Sequence, residues 1–305
     1  DLYSGLEMSL LETQLALLDD STDRLHLLSQ PGYEPPSISA ESQTAPLAVS
    51  CLGTFRCIIS GSPLERWRPG RARSLFQYLI SHHGHSVPRD ALLSALWPNP
   101  TAAAPRTSLK VAVHALRQTF REVDDNQARL EVLTEGQSYR LSAPDLWLDV
   151  DEFDRLCDTG RSLEADGHKA GALHCYTRAA ALYQGDFLQD VADNWPVFRR
   201  ETLKDRFFYV LGALAEASFA EGRYHDGILA CQQLLAKDPC REQAFRVLMM
   251  CHACLGQRSR VHAWYGLCVS TLRAELNAEP EPATQQTYRR ALEARADMPG
   301  VGPGP

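Results

Sequence analysis

No run of 18 apolar residues occurs anywhere in these 305 residues, so no segment reads as a helix that crosses a bilayer and no membrane partner is expected. The N-terminus lacks the basic, then apolar, then small-residue order of a secretory leader. The nine cysteines are odd in number and scattered. That argues against a disulfide framework and for a reducing cytosol. The motifs that announce chemistry are missing as well. There is no G-x-x-x-x-G-K-[ST], no G-x-G-x-x-G after a strand, no G-x-S-x-G and no H-E-x-x-H. No catalytic residue, cofactor or metal is therefore assigned, and the chain is read as a non-enzyme. It opens on Asp1 rather than Met; the simplest expectation is a piece of a longer chain, with room for an upstream sensor domain.

Net charge is −7, which hides a division. Residues 46–143 carry twelve Lys/Arg against seven Asp/Glu, a net +5, which leaves −12 on the rest. A basic module beside an acidic one suggests that one part faces phosphate and the other faces something else.

Acidic residues are absent from Arg106 to Arg121. At 3.6 residues per turn, Leu109, Val113, Leu116 and Phe120 form one apolar stripe, while Arg106, Lys110, His114, Arg117 and Arg121 fall on the other side. A solvated helix face usually mixes signs in i,i+4 pairs; this face does not. Two shorter apolar-periodic segments precede it, Arg71 to Ser81 and Arg89 to Trp97, separated by the polar turn from His82 to Ser86. Leu130 to Leu133 and Tyr139 to Leu141 then read as strands joined by Glu135-Gly136-Gln137-Ser138. Three helices and a hairpin is the order of a winged helix-turn-helix.

The segments SVPRDALLSALWP, RTSLKVAVHALRQTF and EGQSYRL resemble the OmpR/PhoB-type winged helix of bacterial transcriptional activators of the SARP/AfsR kind. The resemblance extends over roughly residues 46 to 296. It implies a sequence-specific DNA-binding regulator whose partners are double-stranded DNA, RNA polymerase and a second protomer. The helix from Arg106 to Phe120 is then expected in the major groove. Lys110 and His114, opposite the apolar stripe, are the candidates for base edges, and Arg106, Thr107 and Arg117 for phosphate or base. Arg121 extends the cationic face. The wing from Gly136 to Arg140, with Gln137 and Arg140, is implied to approach the adjacent minor groove. Two departures stand out. Ala112 and Ala115 occupy positions where the family usually has His and Arg. Thr134-Glu135 and Ser138 replace a basic residue before the turn and a second glycine. They favour an alternative, a tetratricopeptide scaffold whose winged helix no longer binds DNA. The unbroken cationic face disfavours it.

The remaining chain is read in order. Residues 1–30 form an amphipathic, coiled-coil-like helix (Met8, Leu11, Leu15, Leu18, Leu25, interrupted by Thr22). It serves either for dimerisation or signalling, or it docks on its own domain. Residues 31–46 are a Pro/Ser/Gly linker. Residues 47–143 are the winged-helix domain, opening with a small antiparallel sheet over Leu47 to Ile59 whose turn is Gly61-Ser62-Pro63. Trp67 with Arg66, Arg68, Arg71 and Arg73 is either a phosphate-touching run or a solvated loop with one anchoring aromatic. Pro144 to Phe153 looks like a crossing strand, and it leads into a helical domain over 144–296. Gly222 and Gly256 lie 34 residues apart, the tetratricopeptide period, and Gly167 lies 55 before Gly222, one period plus an insertion of 21. Ala172 and Gly227 are small enough to let paired helices approach. QGDFL, NWPVFRRE, DPCREQAFRVLM and AELNAEPEP resemble the bacterial transcriptional activator domain. Residues 297–305 are expected to be a disordered tail.

The expected fold class is thus mainly α with a small β part: an amphipathic N-terminal helix, a winged helix-turn-helix, and a tetratricopeptide-like α-solenoid domain. Three clusters could suggest a metal or acid–base chemistry: Cys251-His252-Ala253-Cys254 with His262 and Cys268; His82, His83 and His85; and Asp145, Asp149, Asp151, Glu152 and Asp154. They are read respectively as small buried helix residues, a solvated turn, and a polar strand running into helix-start acids.

Overall fold

The computed structural model describes residues 45–68, 71–98, 105–123 and 129–293. The expected helix over 1–30, the linker before Ala45 and the tail from 297 lie outside the described residues. All described residues belong to one of two units into which the chain divides, the one that begins at Ala45.

The first sheet is built from β1 (Leu47–Ser50), β2 (Arg56–Ile59), β3 (Ser62–Pro63) and β7 (Leu146–Leu148), in the order β3-β2-β1-β7. β1 and β2 are antiparallel with Leu47 opposite Ile59, and β7 runs parallel to β1. The crossing segment is thus a strand for only three residues. It becomes helix at Asp149 because Asp149, Asp151 and Glu152 occupy the first turn of α4 (Asp149–Ala165), where carboxylates meet the positive end of the helix dipole.

After β3 come α1 (Ala72–Ile80), α2 (Arg89–Leu96) and α3 (Pro105–Val123), which pack on one another. α1 buries Ala72, Leu75, Phe76, Leu79 and Ile80, the i, i+3, i+4, i+7, i+8 face of one helix. Phe76 is an aromatic hub, with ring centroids 5.4 Å from Phe120, 5.5 Å from Trp67 and 6.1 Å from Phe55. Emptying such a site to Ala costs about 3–5 kcal/mol.

The wing is a three-stranded sheet, β4 (Val87–Pro88), β6 (Ser138–Ser142) and β5 (Glu131–Glu135), in the order β4-β6-β5. Its hairpin turn is tighter than expected, because Glu135 and Ser138 are themselves paired and only Gly136-Gln137 remain in the turn. Gly136 takes φ +63°, the left-handed value that a two-residue turn with glycine first requires and that a side chain would resist. β4 has no counterpart in the sequence reading. Two residues are too few to show alternation.

The helical part comprises α4, α5 (Lys169–Leu182), α6 (Val197–Ala220), α7 (Tyr224–Leu235), α8 (Glu242–Cys254), α9 (Arg258–Leu276) and α10 (Pro282–Glu293). The glycines picked out by their spacing each close the first helix of a helical hairpin. Gly167, Gly222 and Gly256 sit at φ +80°, +76° and +72°. The residue after each donates to the carbonyl five positions back: His168 to Leu163, Arg223 to Ser218 and Gln257 to His252, at 2.8, 2.8 and 2.9 Å. This is the Schellman stop, repeated three times. Close approach follows inside the hairpins. A methyl at Gly160 would collide with the Tyr176 ring, and one at Gly227 would stand 3.3 Å from the Ala215 carbonyl oxygen.

The insertion between the first two hairpins clasps the first sheet. Leu188 N–H donates to the Cys51 carbonyl at 2.8 Å, Gly53 N–H donates to the Asp186 carbonyl at 3.2 Å, and Leu52 bridges Phe187. Arg200 holds the clasp in shape by donating to the carbonyls of Phe187, Leu188 and Val191. The buried apolar residues of both parts form one continuous cluster. Among the described residues no helix is long and apolar enough to cross a membrane.

Candidate nucleic-acid interface

α3 turns the expected stripe inward: Leu109, Val113, Leu116 and Phe120 are at most 3 % exposed. Ala112, Ala115 and Thr119 are buried beside them, which widens the inner face. The Thr119 hydroxyl is satisfied by the Ala115 carbonyl at 3.0 Å. With the inner arc so defined, Arg106, Thr107, Lys110, His114 and Arg121 are exposed on the outer arc. Val111 joins them at 58 % exposure, an apolar side chain held out among cations. Sequence reading passed over it; the signal was its position off the apolar stripe. Among the described residues, Arg106, Lys110, His114 and Arg121 meet no carboxylate.

Arg117 behaves differently. Its Nε and Nη2 donate to the Val132 carbonyl at 3.0 and 2.7 Å, and Nη2 also donates to Thr134 Oγ1 at 2.8 Å. The side chain expected among phosphate or base contacts is thus engaged in joining α3 to β5. No local pattern announces this, since Val132 and Thr134 reach Arg117 only once the hairpin folds back.

The wing residues are also partnered. Arg140 Nε donates to Glu135 Oε1 at 2.7 Å. Gln137 takes Arg89 Nη2 on its Oε1 at 2.9 Å and the Arg89 N–H on its carbonyl at 2.9 Å. Arg89, the first residue of α2, is therefore brought against the wing turn, a second residue absent from the sequence-based set.

Three cations of the basic run around the start of α1 are turned to structure. Arg68 pairs with Glu122, Arg73 with Asp190, and Arg71 with Asp193 at 3.5 Å. Arg71 also lies over the Trp97 ring at 5.7 Å, and Arg73 over the Phe55 ring at 5.4 Å. Two of these three cations thus reach the acidic insertion of the helical part.

The other clusters disperse. His82 and His83 turn Nδ1 to the carbonyls of Tyr78 and Ile80, and His83 Nε2 meets Asp151 at 2.9 Å. His85 turns its Nδ1 to the His83 carbonyl at 3.2 Å. Asp145 pairs with Arg129, Glu152 with Arg155 and Arg178, and Asp154 with Arg199 and Arg206. Asp149 is buried and accepts backbone amides. Cys251 is buried, His252 lies between Trp264 and Gln257, and His262 faces Tyr288.

Comparison with known proteins agrees with this layout. Residues 68–141 match the family "Transcriptional regulatory protein, C terminal", and residues 148–292 match the "Bacterial transcriptional activator domain". The transcriptional regulatory protein MoaR1 of Mycobacterium tuberculosis is 27% identical over 244 residues, covering 79% of this chain and 78% of that protein. The transcriptional regulatory protein EmbR of the same organism is 26% identical over 243 residues, covering 79% of this chain and 62% of that protein. The structure of M. tuberculosis EmbR in complex with a low affinity phosphopeptide superposes with a TM-score of 0.68 at 24% identity, over 82% of this chain and 65% of that one. With a winged helix followed by an activator domain in this order, the chain belongs to the SARP/AfsR-type family of bacterial transcriptional regulators.

Proposed function

We propose that the chain binds double-stranded DNA by laying the outer arc of α3 in the major groove, with the wing at the neighbouring minor groove, and that its acidic helical part contacts RNA polymerase. The observation that carries the reading is a contrast in charge. Arg68, Arg71, Arg73 and Arg140 are held by carboxylates, while Arg106, Lys110 and Arg121 stand exposed without one among the described residues. Unpaired cations on a rigid helix are what a phosphate backbone requires. In this reading Lys110 and His114 address base edges, Arg106, Thr107 and Arg121 address phosphate, and Val111 is placed to meet a thymine methyl. Arg117 braces the wing. Arg89 and Gln137 set the turn at the minor groove. Work of this kind puts the chain in the cytoplasm, and the heptad-like segment over residues 1–30 suits a homodimer.

The test is the affinity for a short random-sequence duplex measured at rising salt. If about four phosphates are neutralised, log K falls with log salt at a slope of about −4. A flat response, or no binding at low salt, would leave the scaffold reading in its place.

A further inference from the structure

We propose that Glu135 is an electrostatic brake on the wing. It occupies Arg140 and sets a carboxylate where the DNA backbone approaches, and so holds down the affinity for DNA. The inference rests on the DNA-binding reading above.

Glu135 is the last residue of β5, immediately before Gly136, and Arg140 lies two residues past its cross-strand partner Ser138. Diagonal neighbours of this kind share one face of a hairpin, and here they meet at 2.7 Å. Three guanidinium groups surround the wing. Arg117 meets only neutral oxygens there. Arg89 meets the Gln137 amide oxygen at 2.9 Å and Asp90 only at 3.6 Å. Arg140 alone of the three is bound to a carboxylate of the wing itself.

The pair is weakly held, because its side chains are 37% and 41% exposed and such pairs contribute little in water. Arg140 can therefore leave Glu135 for a phosphate. The exchange gains one cationic contact but strands a carboxylate beside a phosphate, and the two effects oppose one another. An arginine that would otherwise add affinity on every duplex is thereby cancelled, and α3 is left to supply the binding. A repulsive element of this sort lowers the affinity for every duplex alike and leaves discrimination to the base contacts of α3.

The test uses the full chain in four forms: wild type, Glu135→Gln, Arg140→Gln and the double variant. Each is checked for folding by circular dichroism and titrated with a random-sequence duplex over a range of salt. Glu135→Gln should bind about three- to tenfold more tightly at low salt, with a salt slope steeper by about one. Arg140→Gln should weaken binding in the wild-type background, because it leaves the Glu135 carboxylate unpaired beside the phosphates, and should abolish the gain in the Glu135→Gln background. Unchanged or weaker binding by folded Glu135→Gln, or a double variant that keeps the gain, would overturn the brake. Absence of binding in all four folded proteins would instead overturn the DNA-binding reading on which it rests.

Discussion

The carboxylate of Asp149 accepts the backbone N–H of Leu52 at 2.8 Å, a contact between residues 97 positions apart. The same carboxylate accepts the Cys51 N–H at 2.8 Å on both oxygens. One side chain at the start of α4 thus satisfies the two amides that follow β1, and all three residues are buried. Asp149→Ala would leave both amides without acceptor or water. At about 1–3 kcal/mol for each stranded group, the urea midpoint should fall by the equivalent of roughly 2–5 kcal/mol. Asp149→Asn keeps one oxygen and should lose less. Burial also drives the Asp149 carboxyl up to about 6, against the amide bonds, which favour its charged form. The folded chain then binds this proton more tightly than the unfolded chain does. The contribution of Asp149 to stability should fall as pH rises from about 4 to about 6, and the Asn variant should lack that slope.

His83 provides a second titration at the same junction. Its hydrogen bond to Asp151, aided by their charges, holds the imidazole above its ordinary value. This stability is present in full below the unfolded value near 6.5 and is lost as pH rises through the higher folded value. Both side chains are partly exposed, at 34% and 52%, so the effect should stay below about 1 kcal/mol. His83→Gln should flatten the stability profile above about pH 6.5 while leaving the acid side unchanged.

His252 runs the other way. Its Nε2 accepts the Trp264 indole N–H at 3.0 Å, which requires a neutral ring whose Nδ1–H donates to Gln257 Oε1 at 2.6 Å. Burial lowers its proton affinity further. Protonation would set two donors against each other, so this contribution should be lost as pH falls below about 6.5. Trp264 fluorescence followed in acid should report loosening of α8 against α9, and His252→Gln should shift that transition.

Lys110 and Arg117 should separate base reading from wing support. Lys110→Ala should cost about 1–3 kcal/mol on a preferred site and little on random DNA. Arg117→Ala removes the brace to Val132 and Thr134. It should weaken both duplexes together and increase amide exchange in β5. If Lys110→Ala weakens both equally, the rotation assigned to α3 is wrong.

The elements written in local spacing were legible in the chain. The stripe of α3, the stripe of α1 and the three glycine stops each depend on residues within two or three turns of one another. Periodicity therefore announced them, and the 34-residue spacing of Gly222 and Gly256 announced the repeat. The partner of each charge was decided by the tertiary structure. Arg71 and Arg73 had many carboxylates to choose from, and they found Asp193 and Asp190, 122 and 117 residues away, only because the insertion clasps the first sheet. The same holds for Arg117 against the folded hairpin, for Asp149 beneath Cys51 and Leu52, and for the exposure of Val111. An ion pair or a cap has no period. It depends on where two stretches of backbone come to rest, and a linear chain leaves that open until its apolar faces have closed on one another.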